Sequence, residues 1–451
     1  MALHLSINKQ LTPEARQALL IPPGMNAVHV GIPFGPTALN EVEKLNVTKV
    51  YIMANKSSSK LPMVEEFVKA LDTKGFLAAP MNCNVSMGGA EDGLLQACNE
   101  AAAVNADCVL TIGGGAVQDA GKFVRLWLSV AADGDGETTT PTATATVDGI
   151  LAAASQKIDP TMSPLPPQIC CPNSFAMAEF THVAGLVTND NVKKGATHPS
   201  MMPTVVIFDT TLARGLPDWV KFGTALRGVE HAIGAICHPN ATDDIRSRAL
   251  QGLEFVNRGL KGMVMVEKET TPSDSAAAAA AAEEAAQVDC YLGGWMAIRA
   301  LNTGGCYPSI AHLIQNQYSA RFNVHQGSCS GILCARILQY HREESMLNQK
   351  LISQVLVMDN NGNSSDNGEQ QEEAAALSPT ASQLVSDLVS ALPGVAKDHA
   401  DAKVDDEMLR NFAEYMYSQY GGKMNRLCPK SFDTAGDVYD MLALPIASLA
   451  G

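Results

Sequence analysis

Three consecutive glycines, Gly113-Gly114-Gly115, stand between a short apolar run, Cys108-Val109-Leu110-Thr111-Ile112, and the stretch Ala116-Val117-Gln118-Asp119-Ala120-Gly121-Lys122. A strand that passes through glycines into a helix lets the backbone come close to a ligand. It also offers the unpaired N–H groups of the first helical turn to a pyrophosphate. A tight turn needing positive φ is the plainer use of the same residues. The spacing is neither G-x-G-x-x-G nor a Walker loop, because Lys122 comes too late.

The elements that must hold such a loop are legible around it. NAVHVGIPF, KVYIMAN, DCVLTIGG and TVVIFD are apolar, β-branched runs bounded by turn residues, and LPMVEEFVKALDTKG and EDGLLQACNEAAAVNA carry apolar residues at helical spacing. Alternation of this kind predicts a parallel sheet covered by helices on both faces. From about Leu212 strand signals nearly vanish, and six stretches between Thr224 and Gly421 read as helices. The expected fold class is an α/β N-terminal domain with a Rossmann-like parallel sheet (1–210), followed by an all-α domain (211–451). Ligands are expected between the two. Residues 132–147, 268–287 and 359–381 read as flexible insertions; the second of them begins as a loop and continues as an Ala run that favours helix.

Composition narrows the partners. The chain has 451 residues, too many for one ordinary core, and its formal net charge of -15 excludes a nucleic-acid surface and docking on anionic lipid. Its N-terminal residues do not read as a signal peptide, and no stretch is apolar enough for a membrane helix. The 11 cysteines are odd in number, scattered and without a C-x-x-C pair. They read as small buried apolar residues of a reducing compartment, and the expected location is cytoplasmic.

GGGAVQDAGK resembles the GGGS-x-x-D-x-x-K loop of the iron-containing alcohol dehydrogenases, maleylacetate reductases and glycerol dehydrogenases, with Ala116 in place of the usual Ser. Pro172-Asn-Ser-Phe-Ala-Met-Ala-Glu179-Phe-Thr181 resembles the P-T-T-Y-A-G-S-E-x-T stretch of maleylacetate reductases, with Met177-Ala178 in place of Gly-Ser. Lys193-Lys194-Gly195, Pro203 to Asp209 with Leu216-Pro217, and Ala225-Leu226-Arg227-Gly228-Val229-Glu230-His231-Ala232 are similar to further family motifs. The likeness runs from about Val28 to Tyr340 and implies a dehydroquinate synthase-like fold. It implies that Gly113, Gly114 and Gly115 hold the pyrophosphate of NADPH or NADH, supported by Asp119 and Lys122. Asn55, Ser174 and Met177 fall at cofactor-lining positions. Many NAD-preferring relatives carry Asp where Asn55 stands, so Asn55 with Lys56 permits NADPH and slightly favours it. The resemblance also implies a small-molecule substrate and a homodimer.

The family's metal is held by one Asp and three His, and here the pattern departs. His231 is kept, but the Asp position four residues earlier is Arg227, which cannot ligate a cation. His312 matches a second His of the next motif, but the ligand position four residues before it is Pro308. The last ligand falls on Gln326, or on His325 if the alignment slips by one. No bound metal is expected on two donors at best. Three residues then stand as catalytic candidates. Arg227 would bind a carboxylate or stabilise an oxyanion, His231 would donate a proton, and His325 lies beside them. Glu179 borders the cofactor stretch as loop anchor or nicotinamide neighbour, and His182, His198, His238 and His341 read as surface residues. The expected activity is metal-independent, NAD(P)H-dependent reduction of a small carbonyl or enoyl substrate of the maleylacetate kind. The alternative is a non-redox lyase, isomerase or cyclase on the same scaffold, with Met177-Ala178 intruding on the nicotinamide. A catalytically dead binding protein is the weakest reading, because Gly113 to Gly115, Asp119 and Lys122 are kept together.

Overall fold

The computed structural model describes residues 4–85, 90–132, 144–155, 165–190, 192–269, 276–357 and 379–446. They divide into two compact units, one of Met1–Gln10 with Ile21–Gly215 and one of Leu11–Leu20 with Leu216–Gly451. The short Pro13–Ala18 helix thus packs with the later part of the chain, where Arg248 donates to the Gln17 carbonyl and Trp295 Nε1 to that of Leu20 at 3.1 Å.

The first unit is built on a six-stranded parallel sheet. Its strands are β1 (His4–Ile7), β2 (Ala27–Val30), β3 (Val50–Ala54), β4 (Cys108–Gly113), β5 (Gln168–Pro172) and, beyond a two-stranded antiparallel pair β6 (Val183–Val187) and β7 (Lys193–Thr197), β8 (Val205–Phe208). Their order is β1-β2-β8-β5-β4-β3. Alternate residues of β3 and β4 face opposite layers. Ile52, Ala54, Leu110 and Ile112 pack with Phe34, Val64, Phe67 and Leu71, whereas Tyr51, Met53 and Val109 pack with Phe123, Val124 and Trp127. Burial on both faces is why these strands are apolar at nearly every position.

Two details differ from the sequence expectation. The run NAVHVGIPF is strand only over Ala27–Val30; a helix begins at Phe34, whose backbone N–H is capped by the Asp209 carboxylate at 2.8 Å. The strand β5, QICCP, was hidden by its brevity and by the Pro-rich approach to it.

The second unit contains no strand among the described residues. Its longest helices, Asp243–Glu269 and Ala276–Leu301, approach backbone to backbone through Gly252, Gly259 and Gly293, where a Cβ would meet main-chain atoms of the facing helix at 2.5–2.9 Å. The Ala run of 276–287, whose composition favours helix, forms the first turns of the Ala276–Leu301 helix, with Ala286 and Gln287 already buried. Val147 likewise starts a helix with its side chain buried, while residues 133–143, 270–275 and 359–378 of the three expected insertions lie outside the described residues. No described helix is long and apolar enough to cross a membrane. All 11 cysteines are free, nine of them buried.

Candidate functional site

In the first unit the carboxyl ends of β3, β4 and β5 lie side by side. Ala54 pairs with Ile112 and Gly113 with Pro172, so Asn55, the three glycines and Asn173-Ser174 emerge level with one another. In a parallel α/β sheet this is the edge where ligands bind. Gly113 has φ +158, and a Cβ there would lie 2.6 Å from Asn55 Oδ1 and 3.0 Å from Val117 Cγ2. Gly114 faces Ser174 Oγ and Gly115 faces the Ala176 side chain. Only a residue without a side chain fits at Gly113, whereas a Cβ would be tight at Gly115, 3.2 Å from that of Ala176, and in ordinary contact at Gly114. Gln118 Nε2 donates to the Gly113 carbonyl at 2.9 Å and fixes the turn from beneath. Val117 N and Gln118 N donate to the Gly114 carbonyl at 3.0 and 3.2 Å, so the N–H groups of Gly115 and Ala116, at the start of the Gly115–Ala132 helix, are the ones the turn can offer to an anion.

Asn55 is held by three neighbours: its Nδ2 donates to Ser57 Oγ, and its Oδ1 accepts from Ser58 Oγ at 2.9 Å and from Asn173 Nδ2 at 3.4 Å. The side chain thus ties the end of β3 to that of β5, while the Asn55 backbone N–H donates to the Ile112 carbonyl of β4 at 3.2 Å. Lys56 beside it is exposed.

Lys122 is fully buried. Its ammonium lies 3.0 Å from Asp119 Oδ1, 2.8 Å from the Ala178 carbonyl, 2.6 Å from that of Val183 and 3.3 Å from Thr181 Oγ1. Asp119 Oδ2 accepts in turn from Gly185 N at 3.1 Å. This pair clamps the loop's helix to the 178–185 segment, and the Lys122 charge is engaged within the protein. Ser174 and Glu179 are buried, and Met177 sits at φ 60 with its side chain 1% exposed. Gly would adopt that left-handed backbone freely, whereas Met does so at a cost of about 1 kcal/mol.

In the second unit the Asp218–Ile236 helix supplies Arg227, Glu230 and His231. Arg227 Nη1 donates to Gln326 Oε1 at 2.8 Å, and Gln326 Nε2 reaches Asn316 Oδ1 at 3.0 Å. This contact forms because Gly223, one turn before Arg227, lets the backbone of Gly327 pack directly on it. His325 is the N-cap of the Gln326–Tyr340 helix: its Nδ1 accepts from Gly327 N at 3.3 Å, and its ring meets Trp219 edge-on at 5.0 Å. Burial, reinforced by Arg227, pushes this imidazole down to about 4. Gln326, rather than His325, therefore occupies the position facing Arg227.

His231 is completely buried, and neither ring nitrogen has a hydrogen-bond partner. Its Nε2 lies 3.5 Å from Glu230 Oε2, but burial, with Arg227 adding to it, drives the imidazole pKa well below its usual range. A neutral ring without access to solvent is a poor proton donor, which argues against that role for His231. Glu230 is equally buried. Burial would raise its carboxyl, but His312, His231 and Arg227 outweigh it and keep the group ionised. Ser309 Oγ donates to Glu230 Oε1 at 3.1 Å, His312 Nδ1 lies 3.3 Å from Oε2, and the Tyr307 hydroxyl lies 3.3 Å from His312 Nε2. Gly234, one turn after Glu230, admits the Ser309 loop; a Cβ there would lie 2.6 Å from Ser309.

The sequence reading did not single out Glu230, Ser309 or Tyr307. The signal for the first was its place beside His231. His238 and His341 are corrected from surface to buried, at 2% and 4% exposure, and His182 and His198 are half-buried. Their helix-end and loop positions concealed that other segments cover them.

The positions that the family resemblance gives to metal ligands do not suit a metal here. Arg227 brings positive charge, Pro308 has no donor, and Gln326 already accepts from Arg227. Glu230, His231 and His312 place donor atoms within 4.8 Å of one another. That set could take a cation, but its carboxylate is already engaged by Ser309 and His312.

The family model described as iron-containing alcohol dehydrogenase matches residues 31–210. The chain is 27% identical over 223 residues to Dehydrogenase FUM7 of Gibberella moniliformis, a match spanning 48% of this chain and only half of that protein's length. It is 25% identical over 311 residues to the probable alcohol dehydrogenase EutG of Escherichia coli, 68% of each. The crystal structure of maleylacetate reductase from Rhizobium sp. superposes with a TM-score of 0.66 at 18% identity, over 94% of this chain and 97% of that one, which establishes the fold. Residues 31–210 are thus similar to the iron-containing alcohol dehydrogenase family, and the chain shares its fold with maleylacetate reductase along nearly its whole length.

Proposed function

We propose that the protein is an NAD(P)H-dependent, metal-independent reductase of a small carbonyl or enoyl acid of the maleylacetate kind. One observation carries the reading: the 2.8 Å hydrogen bond between Arg227 and Gln326 stands where relatives keep two metal ligands. A fixed guanidinium there does by hydrogen bonding and charge what a Lewis acid does in metal-dependent relatives. It binds a substrate carboxylate, or the oxyanion that forms when a carbonyl-conjugated carbon accepts hydride. Arg227 is only half-buried, and its Nη1 takes just one of the available bonds.

The cofactor assignment rests on Gly113, Gly114 and Gly115, a bare backbone turn at the strand ends with no room for a side chain at Gly113 beside Asn55. Asn55 in place of a carboxylate supports NADPH over NADH, since nothing there repels a 2′-phosphate. Asp119 and Lys122 act as the clamp behind the loop. The burial of Met177 speaks against the non-redox alternative, because its bulk lies inside the first unit and not in an open pocket. We place the enzyme in the cytoplasm as a homodimer, to be checked by light scattering.

The test is calorimetric titration of EDTA-treated protein with NADPH and then NADH. It is followed by a screen of maleylacetate, enones and aldehydes for loss of reduced-nicotinamide absorbance. Binding with turnover of an enoyl acid supports the reading. Absence of binding to either nucleotide would remove it in favour of a non-redox reaction.

A further inference from the structure

We propose that the helical unit carries a second ligand site, a cleft that binds a small carboxylic acid with an aromatic body, apart from the residues assigned to the reaction. The cleft has a volume of about 840 Å³, and all of its lining residues belong to the second unit. That size falls within the roughly 300–1,000 Å³ of small-molecule sites. Neither Arg227 nor Gln326 lines it, and it does not depend on the reductase reading.

Three pieces of backbone build the walls. The first is the opening turn of the Asp218–Ile236 helix, which presents Trp219. Gly394 lies directly on that turn: a Cβ there would be 2.9 Å from Trp219 N, and its φ of +69 suits glycine. The second is the end of the Ile310–Phe322 helix, where Asn323 turns the chain at φ 52 and Ser319 Oγ donates to the Val324 carbonyl at 2.7 Å. The third is the 397–404 loop. Asp401 Oδ2 accepts from Lys397 N at 2.8 Å, and Lys403 N and Val404 N donate to the Ala400 and His399 carbonyls, both at 2.9 Å. His399 is itself held by the Tyr318 hydroxyl at 2.9 Å and the Leu442 carbonyl at 2.8 Å. Walls set in advance leave a ligand little ordering to impose.

The lining sets the ligand's chemistry. Trp219, Phe322, Val324, Val395 and Met408 offer aromatic, aliphatic and thioether surface, which suits a flat apolar body. Lys397 and Lys403 stand beside them, and among the described residues neither ammonium group has an ion-pair or hydrogen-bond partner. One carboxylate, that of Asp401, lines the cleft with them, and it is turned onto the Lys397 N–H. The neighbouring Asp398 and Asp405 accept from Asp401 N and Met408 N, at 2.9 and 2.8 Å, and do not line the cleft. The charge left unanswered is positive, so the head group is an anion. Lys403 holds φ 57, a left-handed backbone that Gly or Asn adopts more readily, so its ammonium is presented at a backbone cost. An inorganic phosphate would answer the lysines but leave the aromatic surface uncovered.

Trp219 is also the reporter. Of the three tryptophans, Trp127 and Trp295 are 5% and 0% exposed and Trp219 alone is half-buried, so a change in indole emission on binding reads this cleft. The full chain is titrated with benzoate, phenylacetate and 3-phenylpropionate, with 3-phenylpropanol and inorganic phosphate as controls. At least one acid should change the emission saturably, with a Kd at least about ten-fold below those of both controls. The change should vanish in Trp219→Phe. By calorimetry the Kd should rise about ten-fold when Lys397→Gln and Lys403→Gln are combined, exposed positions whose replacement spares the fold. It should stay within about two-fold of wild type in Arg227→Ala. No saturable change with any acid overturns the site, as does equal affinity for acid and alcohol or an unchanged Kd in the double lysine variant. A signal that survives Trp219→Phe, or binding lost in Arg227→Ala, places the acid elsewhere and overturns it too.

Discussion

Arg227 and Gln326 face each other across two helices and share a hydrogen bond of 2.8 Å. At positions to which the family resemblance assigns an Asp and a His ligand, the pair sets a guanidinium against a neutral amide. Arg227→Ala should therefore lower kcat with an acidic substrate by about 100-fold or more while leaving NADPH binding intact. Steady-state rates beside a calorimetric Kd check this. Unchanged turnover would remove Arg227 from the chemistry.

Chelation gives a separate expectation. Dialysis against EDTA should leave the melting temperature and NADPH affinity unchanged, because the carboxylate of the Glu230–His231–His312 set is already hydrogen-bonded. A melting temperature that falls on dialysis and recovers with Zn²⁺ would instead mark those three residues as a cation site.

Asn55→Asp keeps the acceptor that receives the Ser58 and Asn173 bonds and adds a negative charge at the strand end. We expect preference to move toward NADH, with the ratio of NADPH to NADH affinities falling about ten-fold, equivalent to about 1.4 kcal/mol. Equal Kd ratios for variant and wild type would dissociate this residue from the ribose.

Lys122→Met should destabilise the first unit by about 3 kcal/mol, since it removes a buried ammonium shared by Asp119 and two part-buried carbonyls. Urea unfolding measures the loss. A loss below about 1 kcal/mol would show that the ammonium is dispensable to the fold.

His341 and His399 supply a pH dependence. Burial pushes both imidazoles down to about 4. His399 is further held between Tyr318 OH at 2.9 Å and the Leu442 carbonyl at 2.8 Å. A folded-state value below the unfolded one means that their contribution is present above about pH 6.5 and is lost as pH falls from there toward 4. Each costs up to about 1.4 kcal/mol per pH unit in that window. Melting temperature against pH should decline over that range, less steeply in His341→Gln.

The sheet was legible because parallel strands buried on both faces leave continuous apolar runs, as in VYIMA and CVLTI. The helical unit was legible from its spacing. The short β5, behind its Pro-rich approach, and the Gly- and Lys-rich β7, which has no apolar period, were not. At the candidate site, motif spacing brought Arg227 and His231 to notice, but Ser309 lies 79 positions from Glu230 and meets it around a glycine contact no periodicity announces. Burial also separated residues of one type: His231 and His312 are partners of Glu230, whereas His325 caps a helix.

The eleven free thiols have a practical consequence. Cys108, Cys170 and Cys171 lie inside the sheet, Cys290 and Cys334 inside the helical unit, and burial pushes all five thiols well above their usual pKa. A thiolate-directed reagent can reach them only when the surrounding structure opens. The protein thus carries its own clocks in each unit: alkylation rates read by peptide mass would time the opening of sheet and helices separately, with no label introduced.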